Sequence, residues 1–440
     1  MRHAISWADL RGARVGVWGL GVEGGANLRM LRTLDAAVVL VDDTSRTYDG
    51  TEVLAPDQGG LDALLRCDVV VKSPGISRYR PEVTALEAAR VPVLGGVGLW
   101  LQSAPLDRVV AITGTKGKST TSAMLGHLLE RLGHHTLVCG NIGRPPYDPD
   151  LSSTEPRYWV LEASSYHATD VAVSPYVVAV TSLHPDHLDW HGSVEQYYAD
   201  KLSLCHQPGA RRTVASAASP DLVARAAQLG PDIDWVSTDP ARRTSWHRLL
   251  GVRGDHNLDN AEIARRCLEA LGVVVDDDAL AAAASEFPGL DHRLRTVGTV
   301  AGVEFVDDSL STNVLPTLRA IDAFAGRRTA VIVGGYDRGI DYHPFGEGLT
   351  AREAPLLVVA IPASGDRIRQ ELAEVSLPDS VEVTAADDLE QAVASAFSWA
   401  RPNGVVLLSP AAPSFGTYRD YRERAAAFAR TVQALVVDEP

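Results

Sequence analysis

An apolar, β-branched run, Val109-Val110-Ala111-Ile112, leads without a break into Thr113-Gly114-Thr115-Lys116-Gly117-Lys118-Ser119-Thr120, and a helical pattern continues from Thr121 to Leu132. Strand, glycine-rich turn and helix in that order place successive backbone N–H groups and a helix N-terminus at one point, where they attract phosphate oxygens. Lys118 has the reach to meet β- and γ-phosphates, and Ser119 carries a hydroxyl suited to Mg²⁺. The spacing between the glycines is shorter than in the general phosphate-loop pattern. A plain turn would account for Gly114 and Gly117 but not for Gly-Lys-Ser-Thr at a strand-to-helix junction, so Gly114 through Thr120 is expected to bind a nucleotide.

Outward from this junction the same rhythm recurs. Tyr158 to Leu161, Val177 to Val180 and Thr136 to Cys139 read as further buried parallel strands of one series. Val15 to Trp18, Val38 to Val41 and Val69 to Val71 form an earlier series, and Val303 to Val306, Ala330 to Val333, Leu356 to Ala360 and Val405 to Leu408 a later one. The expected fold class is therefore α/β with three domains, divided as residues 1–106, 107–296 and 297–440. The chain's 440 residues agree with about 150 per domain. With 45% hydrophobic and 22% charged residues, the composition is that of an ordinary globular protein.

Lys and Arg number 41 against 56 Asp and Glu, a net charge of −15, which argues against a general nucleic-acid or anionic-membrane surface. Any phosphate must be held locally. No run is long and apolar enough to span a bilayer, and Met1 to Arg14 lacks a signal-peptide core, so neither membrane insertion nor export is expected and a cytoplasmic location is. Cys67, Cys139, Cys205 and Cys267 lack paired spacing and read as reduced thiols.

Gly19-Leu20-Gly21-Val22-Glu23-Gly24 also follows a strand and spells a dinucleotide fingerprint, with Asp42 and Asp43 near the expected acidic position. Its physical content is a tight turn, a close backbone approach and a helix N-terminus. These serve a UDP diphosphate as well as a nicotinamide dinucleotide, and a purely structural turn is the alternative. In the middle series Glu162 directly follows an apolar strand, and His184, Asp186, His187, Asp189 and His191 crowd the segment after another. Ser119 and Glu162 offer the hard oxygens Mg²⁺ prefers, and His187 a further ligand, whereas His184 and His191 read as surface or capping residues. Asn257 and Asn260, at i and i+3 of an alanine-rich helix, present two amides on one face, for a purine or as caps.

Taken in order, this set resembles the Mur ligase family, the ATP-dependent enzymes that add amino acids to UDP-N-acetylmuramic acid in peptidoglycan synthesis, and the resemblance covers the whole chain. It is most like the family's MurD-type, glutamate-adding branch. The resemblance implies a Rossmann-like UDP-binding domain, a central phosphate-loop domain and a Rossmann-like amino-acid-binding domain. It implies ATP and Mg²⁺, with ATP held by Gly114, Thr115, Lys116, Gly117, Lys118, Ser119, Thr120, Asn257, Asn260, Arg293 and Asp308. Metal ligation falls to Ser119, Glu162, His187 and Lys201, the last matching a lysine that the family carbamylates. Without that match, Lys201 would read as an exposed helical lysine. The UDP-sugar site is implied at Gly19, Leu20, Gly21, Val22, Asp42, Asp43, Ser73, Pro74, Gly75, Asn141, Ser164 and His167. Lys118, Glu162, His187 and Lys201 are the implied catalytic group, acting on an acyl phosphate of UDP-N-acetylmuramoyl-L-alanine.

Glutamate is implied at Thr312, Arg338, Ser414 and Tyr421. Here the chain departs from the usual pattern, since Leu310 stands where a lysine is customary and Arg338 near the place of another. A guanidinium binds carboxylate in a bidentate fork where ammonium is a point charge. These changes are similar to the L-glutamate-adding branch, which implies a separate downstream epimerase, with D-glutamate addition as the alternative. A folylpolyglutamate-synthase-like ligase lacks the Gly19–Gly24 domain, and an NAD-dependent protein would use that turn differently. A monomer is expected.

Overall fold

The computed structural model describes residues 4–151, 154–237, 245–252 and 256–437. Gly254 and Asp255, which precede the asparagine pair, lie outside the described residues. The chain forms two compact units, one of residues up to Gly251 with a segment ending at Phe287, the other running from Pro288 onward.

Among the described residues, three six-stranded sheets carry the fold. The first has the order Arg46–Tyr48, Thr51–Leu54, Ala37–Val41, Arg14–Trp18, Val69–Lys72, Val93–Gly95. The second, all parallel, runs Ile233–Val236, Arg212–Ser216, Val177–Val180, Val109–Thr113, Tyr158–Glu162, Thr136–Gly140. The third runs Arg295–Val300, Val303–Asp307, Val405–Leu408, Thr329–Gly334, Leu356–Ile361, Val381–Ala385, with only its first pair antiparallel. The central strands are the continuous apolar runs expected of parallel strands covered on both faces: Val109–Thr113, Thr329–Gly334 and Leu356–Ile361 are buried at every position. The carboxyl ends of Val109–Thr113 and Thr329–Gly334 lie where the strand order reverses, the usual ligand position in such sheets.

The first two sheets share one hydrophobic core, joined by Trp7 against Tyr147 and Trp100 against Trp159. A buried charge cluster also joins them: Lys72 Nζ lies 2.5 Å from Asp170 Oδ2, and Arg78 Nη1 2.9 Å from Asp170 Oδ1. The third sheet has a separate core on each face. Among the described residues no helix is long and apolar enough to cross a membrane.

The helix expected from Thr121 begins earlier, at Lys118. Gly117 lies in the left-handed region at φ +92° and ends the loop, so Lys118, Ser119 and Thr120 form the first helical turn, whose N–H groups have no acceptor within the helix.

Candidate active site

Gly114 and Gly117 are required twice over. Both have positive φ, and a Cβ would sit 2.2 Å from Thr181 Oγ1 at Gly114 and 2.5 Å from Asn260 Oδ1 at Gly117. The loop is braced by the neighbouring strand end: Thr181 Oγ1 donates to Lys116 O, the Lys116 N–H to Ser182 Oγ, and the Thr115 N–H to Ser182 O. Lys118 Nζ folds over the loop, donating to Gly114 O at 2.9 Å and Thr115 O at 3.1 Å. Asn260 Nδ2 donates to Asn257 Oδ1, so both amides share the face of helix His256–Ala270 that packs on helix Lys118–Arg131.

Glu162 ends its strand fully buried beside this loop. Its Oε1 accepts from Asn141 Nδ2 at 2.8 Å, and its Oε2 has no partner among the described residues. A buried carboxylate oxygen left unpaired is costly unless a cation completes it, which fits a divalent ion. Among the described residues no three His, Cys, Asp or Glu side chains form a ready cage, so such an ion would draw much of its shell from phosphate oxygens.

Lys201, which local pattern alone would leave exposed on its helix, is only 2% exposed. Its Nζ donates to Gly114 O at 3.1 Å and lies over the Tyr197 ring. Helix Val194–Leu202 turns that face inward, and burial, then the Lys118 charge, hold the amine well below the usual lysine range. His187 sits at φ +52°, half-exposed against Tyr166, and burial lowers its basicity although Asp186 opposes this. Asp186 is held below the ordinary carboxylate range; burial works against this, but Lys116 and His187 prevail. The structure thus gathers Lys116, Lys118, Glu162, Asp186, His187 and Lys201 around the loop.

His184 is exposed, as expected. His191 is not a surface or capping residue: it is buried, with Nδ1 2.7 Å from Asp200 Oδ2 and Nε2 2.9 Å from Ser165 Oγ. Tyr197, which no motif singles out, brings its hydroxyl to 3.0 Å from Thr115 Oγ1. The signal was present in its i, i+4 spacing from Lys201.

On the first sheet, Gly19 (φ +87°) turns the chain, and a Cβ at Gly24 would sit 1.9 Å from Gly19 O, so Gly24 permits the helix to close on the turn. Ser73 Oγ donates to Gly19 O, bringing the Ser73-Pro74-Gly75 loop alongside. Asp42 accepts from the Leu20 N–H and from Arg46, and Asp43 pairs with Arg80. Gly21 caps helix Val22–Thr33, and Val22 is exposed. His167 joins this turn to the second sheet: its Nε2 is 2.6 Å from Glu23 Oε1 and its Nδ1 2.8 Å from Ser164 Oγ. Burial works against its protonation, but Glu23 raises its pKa overall. Asn141, by contrast, sits against Glu162 rather than at the Gly19 turn.

In the second unit, Asp308 follows its strand almost fully buried, accepting from Ser409 Oγ and the Leu294 N–H. Burial pushes its pKa up to about 6 despite hydrogen bonds from Ser311 and Ser409 and the charge of Arg293. Arg338 Nη2 donates to Thr312 O, tying the Gly334 loop to the Asp308–Asn313 loop. Tyr421 lies edge-on to His292. Ser414 lines a cavity of about 80 Å³ together with Gly335, Tyr418 and Arg424. The Arg424 guanidinium, absent from the sequence reading, is fully buried, donates to Ala412 O and Ser309 O, and has its pKa lowered to about 10 by burial.

A phosphate-cradling loop at the carboxyl end of a parallel sheet defines a nucleotide-binding α/β protein, and comparison with known proteins narrows the class. Residues 112–241 match the Mur ligase middle domain and residues 292–412 the Mur ligase, glutamate ligase domain. The chain is 39% identical to the UDP-N-acetylmuramoyl-L-alanine--L-glutamate ligase of Xanthomonas euvesicatoria pv. vesicatoria, over 96% of both chains. It is 40% identical to the protein of that name from a Micromonospora species, over 97% of this chain and 98% of the relative. The fold is also that of the UDP-N-acetylmuramate-alanine ligase MurC of Thermotoga maritima, with a TM-score of 0.58 at 18% identity over 96% and 99% of the two chains. This chain belongs to the Mur ligase family.

Proposed function

We propose that the chain is an ATP-dependent ligase of peptidoglycan-precursor synthesis that joins L-glutamate to UDP-N-acetylmuramoyl-L-alanine. The observation that carries this reading is the convergence of Lys118, Glu162, His187 and Lys201 on the Gly114–Thr120 loop, in a chain similar from end to end to relatives bearing that name. Residues 1–106 bind the UDP-sugar, 107–296 bind ATP and 297–440 bind glutamate.

A carboxylate acylates poorly because oxide is a poor leaving group. ATP therefore phosphorylates the L-alanyl carboxylate, and the glutamate amine displaces phosphate from the acyl phosphate. Lys118 neutralises charge on the γ-phosphoryl group as it moves. Mg²⁺ would be held by Ser119, Glu162, His187 and a carbamylated Lys201, and it supplies charge neutralisation at the phosphates. The depressed basicity of Lys201 supports the carbamate, because only the neutral amine attacks CO₂. Asn257 and Asn260 complete the nucleotide site within the first unit, and Arg293 and Asp308 are nucleotide-contacting residues carried by the second. Arg338, Thr312, Ser414 and Tyr421 hold glutamate, and the L-enantiomer is supported by the relatives' names and by the change of cation at Leu310 and Arg338.

Phosphate release from ATP with UDP-N-acetylmuramoyl-L-alanine, measured with each glutamate enantiomer in turn, tests the proposal. Release with L-glutamate and little with D-glutamate is expected. The reverse preference would overturn the enantiomer assignment, and no release with either would overturn the ligase reading.

A further inference from the structure

The chemistry above leaves unused a polar hub centred on Asp200, the residue preceding Lys201. Its carboxylate accepts from Tyr79 Oη at 2.8 and 2.7 Å, from Gln196 Nε2 at 2.9 Å, and lies 2.7 Å from His191 Nδ1. Tyr79 belongs to the segment after strand Val69–Lys72 of the first sheet, six residues from Ser73. The other three groups belong to the second sheet's domain. A second set of contacts joins the same two segments: Trp190 Nε1 donates to Gly75 O at 3.3 Å, and Ser77 Oγ donates to Trp190 O at 2.9 Å. Tyr79 also meets the Trp190 ring edge-on, and Tyr166 stacks on its face.

Gly75–Tyr79 therefore grips the stretch carrying His187 and Lys201 near both ends. His187 has a left-handed backbone that a residue with a side chain adopts only when its surroundings hold it there. Trp190, one helical turn later, is such a hold. Asp200 fixes the helical turn that aims Lys201 at Gly114 O.

We propose that Tyr79, Asp200 and Trp190 are positioning residues that couple binding at the Ser73–Gly75 loop to the placement of Lys201 and His187, so that a nucleotide-sugar and a metal–nucleotide strengthen each other's binding. The inference rests on the functional reading above. Coupling of this kind is reciprocal and is carried by whatever element both ligands order.

Calorimetric titration of UDP-N-acetylmuramoyl-L-alanine, with and without saturating Mg·ADP, reads the coupling directly. In the wild type, Mg·ADP is expected to tighten nucleotide-sugar binding by about tenfold. In Tyr79→Phe that ratio falls to within about twofold of unity, while each ligand alone binds within about twofold of wild type and the thermal midpoint is preserved. Asp200→Asn, which keeps the shape and removes the charge, behaves in the same way. An undiminished ratio in both variants overturns the proposal, as does a wild type that binds both ligands without coupling. A wild type that binds neither overturns the ligase reading as well.

Discussion

Lys118 is half-buried on the first turn of its helix, and its ammonium donates to the loop carbonyls of Gly114 and Thr115. Lys118→Ala should therefore remove phosphate release almost completely while leaving the unfolding midpoint within about a degree of wild type, and retained turnover would show that the loop does not act on phosphate. Asp308 presents the opposite balance, a carboxyl whose burial works against stability once it ionises. Its pKa, pushed up to about 6, lies above the unfolded value, so its contribution to stability is full at pH below the unfolded carboxylate range and is lost as pH rises through about 6. Asp308→Asn is expected to gain about 1–3 kcal/mol on the wild type between pH 4 and pH 8, read from denaturant unfolding at both values. An advantage for the variant that is equal at the two pH values would mean that the carboxyl is not strained by burial.

At the scale of single elements, the phosphate loop works because two glycines let a helix begin where a side chain would block it. Gly117→Ala adds a Cβ at 2.5 Å from Asn260 Oδ1 in a backbone region that alanine avoids. The loop and Asn260 should move together, so ATP binding should weaken by about tenfold or more, whereas Gly21→Ala, with open space around it, should leave ATP binding unchanged. Nucleotide titration of the two variants side by side makes the comparison. In the second unit, Arg338 bridges two strand-end loops through Thr312 O. Losing a guanidinium–carboxylate contact costs about 1.5–3 kcal/mol, so Arg338→Ala should raise the KM for glutamate by roughly 10- to 150-fold and that for ATP much less. An equal rise in both would indicate that Arg338 only shapes the loops.

Across the first unit as a whole, the junction between two sheets depends on a charge that is completely out of water. Lys72 is 0% exposed and its partner Asp170 also takes Arg78, so truncating the lysine leaves a buried carboxylate short of one cation. Lys72→Met should destabilise the protein by about 3–5 kcal/mol, and adding Asp170→Leu should recover only part of that loss, because it removes the stranded carboxylate but also takes a partner from Arg78, which keeps Glu87. Chemical denaturation of the single and double variants measures both steps. If the single variant lost no stability, the seam would owe its strength to its aromatic contacts alone.

The sequence by itself determined the three α/β sheets, the phosphate loop and the fingerprint turn, because strands covered on both faces must be unbroken apolar runs and because glycine is the residue that admits positive φ. It did not reveal strands such as Thr51–Leu54, Arg212–Ser216 and Val381–Ala385, which carry mixed or exposed residues and owe their shape to the strand they pair with. Only the tertiary structure decided that Lys201, His191 and Arg424 are buried. Local pattern marks each as an ordinary polar position on or beside a helix, but burial is set by residues far away in the chain. Tyr79 reaches Asp200 across 121 positions and Arg424 reaches Ser309 across 115. What a charged side chain does depends on the dielectric and the partners around it, and those exist only once distant segments have packed together.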